Sequence, residues 1–188
     1  MLFRSPAIFD EDTGKVVTES EVIAVYLDDK YPDTPKVFPL LAEGNTRAAI
    51  AAFDHVFMSS LFPIFPRLAG PVCNILNPAS ERYFRASKED IWDNLDELVS
   101  PGPIREGRWK EVKEGLDTLS SFLERIGEGK PFYFGDTFSF ADIVAVSFFT
   151  WLKVILDEES DEWKALERWN NGRWMQLVSM TKNLVVLE

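Results

Sequence analysis

A chain of 188 residues with one cysteine, Cys73, cannot close an internal disulfide, so no covalent staple is available to its fold. A lone histidine, His55, with no nucleophile and acid placed around it gives no catalytic triad. Basic residues are scarce as well. Twenty Lys and Arg face thirty-one Asp and Glu, and a net charge of -11 repels phosphate backbones, so a nucleic-acid partner is not expected. The apolar stretch around Ile143 to Leu156 is interrupted by Ser147, Thr150 and Lys153. It is shorter than the roughly 20 apolar residues a bilayer span needs, so it reads as a buried core helix and no membrane association is expected. No basic, apolar leader opens the sequence at Met1, and with one thiol a cytoplasmic, reducing setting is expected. Acidic runs such as Asp157 to Asp161 have no histidine or cysteine beside them, so no metal site is expected.

What is present is a 46% hydrophobic composition, enough for a packed core, and one change of character along the chain. Tyr31 to Pro39 carries three prolines in nine residues, which disfavours helix and predicts an extended linker. Ahead of it, Ala7-Ile8-Phe9 and Lys15-Val16-Val17 flank a turn-rich segment ending in Gly14, the pattern of a β-hairpin. Val22, Ile23, Tyr26 and Leu27 then recur at helical spacing, with Thr18 and Glu21 placed as a capping box. A hairpin with one helix is marginal alone, because its sheet edge and apolar face lack cover. Beyond the linker the signals are helical. A first helix is predicted from about Gly44 to Phe62, stopping near Pro63 and Pro66, and Cys73 is placed in an apolar loop. A second helix is predicted from Asn77-Pro78, a third over about Arg105 to Ile126 with the stripe Trp109, Val112, Leu116, Leu119, Phe122, Leu123 and Ile126, and a fourth after Ser139. Shorter helices are predicted over Glu162 to Arg168 and Trp174 to Thr181.

Two local units carry the meaning. In Phe138-Ser139-Phe140-Ala141-Asp142-Ile143, Ser139 and Asp142 have the spacing of a reciprocal capping box ahead of a helix with almost no polar face. In the second unit, Ser5-Pro6-Ala7-Ile8 leads into the hairpin, and Thr18-Glu19-Ser20 opens the helix after it. A helix start offers free N–H groups and the positive end of its dipole to a carboxylate, with the Ser20 hydroxyl beside them.

Taken in consecutive order, Pro6 to Asp10, the hairpin, Thr18-Glu19-Ser20 with Ile23, Tyr26-Leu27 and Tyr31-Pro32, and the capping box resemble the cytosolic glutathione transferase superfamily over about Ser5 to Leu177. Asp33 to Pro39 and Trp169-Asn170-Asn171-Gly172-Arg173-Trp174 look most like its fungal etherase-like class. The resemblance implies an α+β fragment plus an all-α domain. Residues 1–32 would be a partial, N-terminally truncated thioredoxin-like domain of two strands and a helix, 33–42 a linker, and 43–188 a helical bundle. It implies Ser5 and Pro6 as backbone-contact and cis-proline positions and Glu19 and Ser20 as the γ-glutamyl-binding pair. Phe53, Phe57 and Trp92 would line a pocket for an apolar or aromatic co-substrate, and Phe62 and Phe65 lie on the same helices. Glutathione is the implied co-substrate, without metal. A homodimer and a detoxifying conjugation or ether cleavage are the implied assembly and activity.

The sequence departs from the family at two points. Ser5 stands where an aliphatic residue usually precedes the cis-proline. The Ser, Cys or Tyr that ionises the glutathione thiol belongs upstream of anything present here, so no catalytic residue is assigned and impaired activity is expected of this chain. A non-catalytic module of the same fold, binding apolar ligands or a protein, is the alternative.

Overall fold

The computed structural model describes residues 6–41, 44–89, 102–127 and 129–182. β1 (Ala7–Asp10) and β2 (Lys15–Thr18) pair antiparallel in the register Ala7↔Thr18, Ile8↔Val17, Phe9↔Val16 and Asp10↔Lys15, and α1 (Ser20–Lys30) follows. Gly14 turns the hairpin at a φ of 66°, where a residue lacking Cβ fits without strain. Side chains alternate across the ribbon: Val17 is buried, whereas Phe9 and Val16, directly opposite one another, stay exposed. On α1 only Ile23 of the predicted face is buried, while Val22 and Leu27 remain exposed. Two strands are too narrow to cover a whole helix face. The predicted Thr18–Glu21 box is corrected by the structure: the N-cap is Glu19, and no side chain caps the helix.

The linker is not a free spacer. The Asp28 carboxylate accepts from the backbone N–H groups of Val37 at 3.2 Å and Phe38 at 2.8 Å, and the Lys36 ammonium donates to the Asp28 carbonyl. Phe38 is buried and stacks on Phe140 at 5.3 Å between centroids, while the Phe140 N–H donates to the Val37 carbonyl at 2.8 Å. A short ladder of β3 (Leu40–Leu41) and β4 (Gly44–Asn45) occupies the predicted start of the first helix.

The bundle starts with α2 (Arg47–Leu61), which does not stop at the prolines. It continues through a 3-10 turn (Phe62–Ile64) into α3 (Phe65–Ile75). Pro63 and Pro66 lie in first-turn positions, where a missing N–H costs nothing, and α3 also carries Pro71 in its interior. Cys73 is therefore a buried helical residue rather than part of a loop. The run from Arg47 to Ile75 is long and apolar enough by composition to cross a bilayer, although Ile50, Phe53, Phe57, Leu61, Ile64 and Leu68 turn into the protein core.

Among the described residues, α4 (Pro78–Glu89), α5 (Pro103–Glu124), α6 (Phe140–Ile155), α7 (Asp161–Arg168) and α8 (Arg173–Met180) make up the rest of the bundle. The stripe of α5 buries Val112, Leu116, Leu119 and Leu123 against α2, but leaves Phe122 44% exposed. Gly115 permits the crossing: a Cβ there would lie 2.7 Å from the Ser60 carbonyl oxygen. α6 is the central helix, with Ala141, Ala145, Phe149 and Leu152 fully enclosed. Trp174 stacks on Phe149 at 5.4 Å. Its indole N–H donates to Asn170 at 2.7 Å, and Asn170 in turn donates to Asp117 of α5 at 2.9 Å. These contacts hold Asn170 and Asn171 in left-handed conformations, at φ of 54° and 58°, between α7 and α8.

Candidate functional site

The hairpin register decides which predicted residues meet. The ladder ends at Ala7↔Thr18, so Pro6 and Glu19-Ser20 leave it at the same end and on adjoining strands, all three exposed. Glu19 is held at φ 72°, ψ 128°, a conformation unfavourable to any residue with a Cβ. This kink aims the first turn of α1 outward, with its early N–H groups unclaimed by a side-chain cap and the Ser20 hydroxyl on the same turn. Ser5 and Trp92 lie outside the described residues.

The unit behind this opening is held by one carboxylate. Asp10, buried at the end of β1, accepts from the backbone N–H groups of Asp12 at 3.0 Å and Thr13 at 3.3 Å, from the Lys30 ammonium at 2.5 Å, and from the Tyr26 hydroxyl. Lys30 also reaches Asp12 at 3.1 Å. The bonds from Lys30 and then Tyr26 hold the Asp10 carboxyl well below the usual carboxylate range, and Lys30 is raised by its bonds to Asp10 and Asp12. The Tyr26 hydroxyl is thereby committed to holding hairpin and helix together.

At the second predicted unit, the Asp142 carboxylate accepts from the Ser139 N–H at 2.9 Å and the Ser139 hydroxyl at 2.8 Å, and from the Tyr133 N–H at 2.9 Å. Ser139 and Asp142 form the expected capping box and are both buried. Burial pushes the Asp142 carboxyl up against the opposing pull of these bonds. The box thus also fastens the aromatic lead-in, which doubles back through the bridges Phe132↔Gly135 and Phe134↔Thr137.

The predicted apolar pocket divides. Phe53 borders a cavity of about 230 Å³ with Ala52, Val56, Leu119, Phe122, Leu123 and Tyr133, where α2 and α5 part beyond their contact at Ser60 and Gly115. Burial raises the Tyr133 hydroxyl above its ordinary value. Phe57, by contrast, has no exposed surface and sits edge-on to Phe148 and Phe149, so it belongs to the core and not to a pocket wall. Phe62 is 61% exposed and, with Phe65 and Trp151, forms an aromatic patch whose rings lie about 6.1–6.2 Å apart in consecutive pairs. The backbone kink at Glu19 escaped the sequence reading, since a glutamate there gives no sign of a left-handed φ.

Comparison with known proteins supplies independent observations. Residues 48–184 match the family model of the glutathione S-transferase C-terminal domain. The chain is 25% identical over 181 residues to a glutathione S-transferase-like protein of Aspergillus flavus, covering 92% of itself and spanning 62% of that relative's length. Among solved structures, a glutathione transferase from Phanerochaete chrysosporium superposes with a TM-score of 0.87 at 37% identity, over 98% of this chain and 72% of that one. A glutathione S-transferase of Ceriporiopsis subvermispora, solved in complex with glutathione, superposes with a TM-score of 0.86 at 35% identity, over 96% of this chain and 71% of that one.

Proposed function

The chain belongs to the glutathione transferase superfamily, and from that premise we infer that the outward-facing start of α1, beside Pro6, binds the γ-glutamyl end of glutathione. The strained backbone of Glu19 carries this reading. It presents uncapped N–H groups and the Ser20 hydroxyl to a carboxylate, and the Glu19 side chain is exposed beside them to meet the α-amine. The neighbouring Pro6 segment offers main-chain groups to the cysteinyl part. Solved relatives of similar fold that hold glutathione support the assignment.

The reaction we propose for the whole protein is attack of the glutathione sulfur on an apolar electrophile, either conjugating it or cleaving an ether. We place it near the fungal etherase-like class, in line with solved neighbours that are glutathione transferases of Ceriporiopsis subvermispora and Phanerochaete chrysosporium, and a homodimer is the assembly we propose. For the apolar co-substrate the support is narrower: of the three predicted pocket residues, Phe53 is the one that borders described open volume. No residue of this chain is assigned to ionising the thiol, whose ordinary pKa is about 8.5. If bound glutathione keeps an ordinary thiol pKa in the complete protein, the chain serves a non-catalytic binding module.

Calorimetry with glutathione tests the cradle. Ser20→Ala should weaken binding by about tenfold or more, the loss expected for one hydrogen bond to a charged group. Binding unchanged by Ser20→Ala, or no binding by the parent protein at millimolar glutathione, overturns the reading.

A further inference from the structure

Between the end of α1 and the buried anchor at Phe38, Tyr31 to Pro35 form an exposed stretch held by neither helix nor strand. In it stands a threonine followed by a proline, Thr34-Pro35. Pro35 has no N–H to satisfy and biases Thr34 toward extended backbone, the form in which a chain enters a kinase cleft that accepts proline after the hydroxyl. The Thr34 hydroxyl donates to the Tyr31 carbonyl at 2.8 Å, so freeing it for reaction breaks a single surface bond. The chain has two other Ser/Thr–Pro steps, at Ser5 and Ser100, and both lie outside the described residues.

The same Tyr31 carbonyl accepts from the Lys36 ammonium at 3.1 Å, and Lys36 donates to the Asp28 carbonyl as well. An ammonium has three N–H groups, so Lys36 keeps one uncommitted. Because the Thr34 Oγ and the Lys36 Nζ share one oxygen as partner, a phosphoryl group on Oγ falls within reach of that N–H. Of the nearby acids, Asp33 is exposed and screened by solvent, and the Asp28 carboxylate is occupied by the Val37 and Phe38 N–H groups. Lys30, which lies over the Tyr31 ring at 5.8 Å, is already paired with Asp10 and Asp12. Lys36 is therefore the cation open to a phosphate here. We propose that Thr34 is a phosphorylation site for a proline-directed protein kinase and that Lys36 receives the phosphate. In the transfer, the bond between the γ-phosphorus of ATP and its bridging oxygen breaks, Oγ bonds to that phosphorus, ADP leaves and the hydroxyl proton passes to solvent. The phosphate adds about -1.5 to -2 charges at neutral pH, and its charge-assisted bond to Lys36 ties the linker to the carbonyls at the end of α1. The site lies at the opposite end of α1 from Ser20 and does not rest on the glutathione reading.

Incubating the protein with magnesium-ATP and a purified mitogen-activated protein kinase, then mapping the product by tandem mass spectrometry, tests the acceptor. A phosphoryl group should appear on Thr34. Thr34→Ala should abolish that label, Thr34→Ser should keep it, and Pro35→Ala should slow it about tenfold or more. Phosphorus NMR then reads the partner: the second pKa of the phosphothreonine, ordinarily about 6, should be lower in the folded parent than in the urea-unfolded chain by about half a unit or more. Lys36→Met should remove that depression, whereas Lys110→Met, a loss of charge on an exposed face of α5, should leave it in place. No transfer to Thr34 in the folded protein, transfer confined to Ser5 or Ser100, or a phosphate pKa indifferent to Lys36→Met would overturn the proposal.

Discussion

The hairpin unit and the helical bundle are stabilised by different physics. In the bundle, large side chains such as Trp174, Phe149, Leu152 and Leu116 are enclosed completely, and polar groups serve mainly to cap and orient. In the hairpin unit, β1, β2 and α1 bury little beyond Val17 and Ile23, while Phe9, Val16, Val22 and Leu27 stay in contact with solvent. Its integrity rests on the bonds to Asp10 and on the anchorage of the linker through Asp28 and Phe38. A unit too small to bury much apolar area must be held by directed polar contacts and by attachment to a larger neighbour.

Phe149→Ala should have the largest effect, removing a fully buried ring from the α6–α8 contact at a cost of about 3–5 kcal/mol. Denaturant unfolding should show the loss in the bundle transition. Asp142→Ala comes next, at about 2–4 kcal/mol, since it removes the cap and leaves the Tyr133 and Ser139 N–H groups without their acceptor. Hydrogen exchange should speed up first at Tyr133 and across the start of α6.

Asp28→Ala, which frees the Val37 and Phe38 N–H groups, should cost about 1–3 kcal/mol and uncouple the two regions. Hairpin amides would then exchange faster while those of α6 keep their protection. Equal acceleration in both would show that the two regions open as one.

The smallest effect is on acidification. The Asp10 carboxyl is held below its unfolded value of about 3.9, so its contribution is complete above that pH and is lost progressively as pH falls through and below it. Amide exchange from about pH 5 down to about pH 2 should report earlier opening of β1 and β2 in the parent than in the bundle, and Asp10→Asn should remove the difference in pH response. The raised Lys30 works in the opposite direction: its contribution is present below its unfolded value of about 10.4 and is lost only as pH rises beyond it.

Much of this architecture was legible residue by residue. The short apolar runs Ala7-Ile8-Phe9 and Lys15-Val16-Val17 around a turn-rich segment ending in Gly14 marked the hairpin, and the Ser139–Asp142 spacing marked the start of the central helix. The 3–4 spacing from Val112 to Leu123 identified the inward face of α5. The prolines misled. Pro63 and Pro66 read as stops, yet first-turn positions tolerate them, and the apolar residues that follow are carried on as a helix by packing. The linker prolines likewise predicted an extended spacer, while burial of Phe38 against Phe140 turned it into an anchor.

Local chemistry thus determined where the hairpin turns, where helices α5 and α6 run and which serine and aspartate cap the central helix, because propensity, capping and periodicity act over a few residues. Only the tertiary structure decided that Phe57 is sealed in the core while Phe53 borders a cavity, and that Pro6 emerges beside Glu19. Those outcomes depend on how elements far apart in sequence cross and pair, and on the backbone strain a folded neighbourhood can sustain at Glu19.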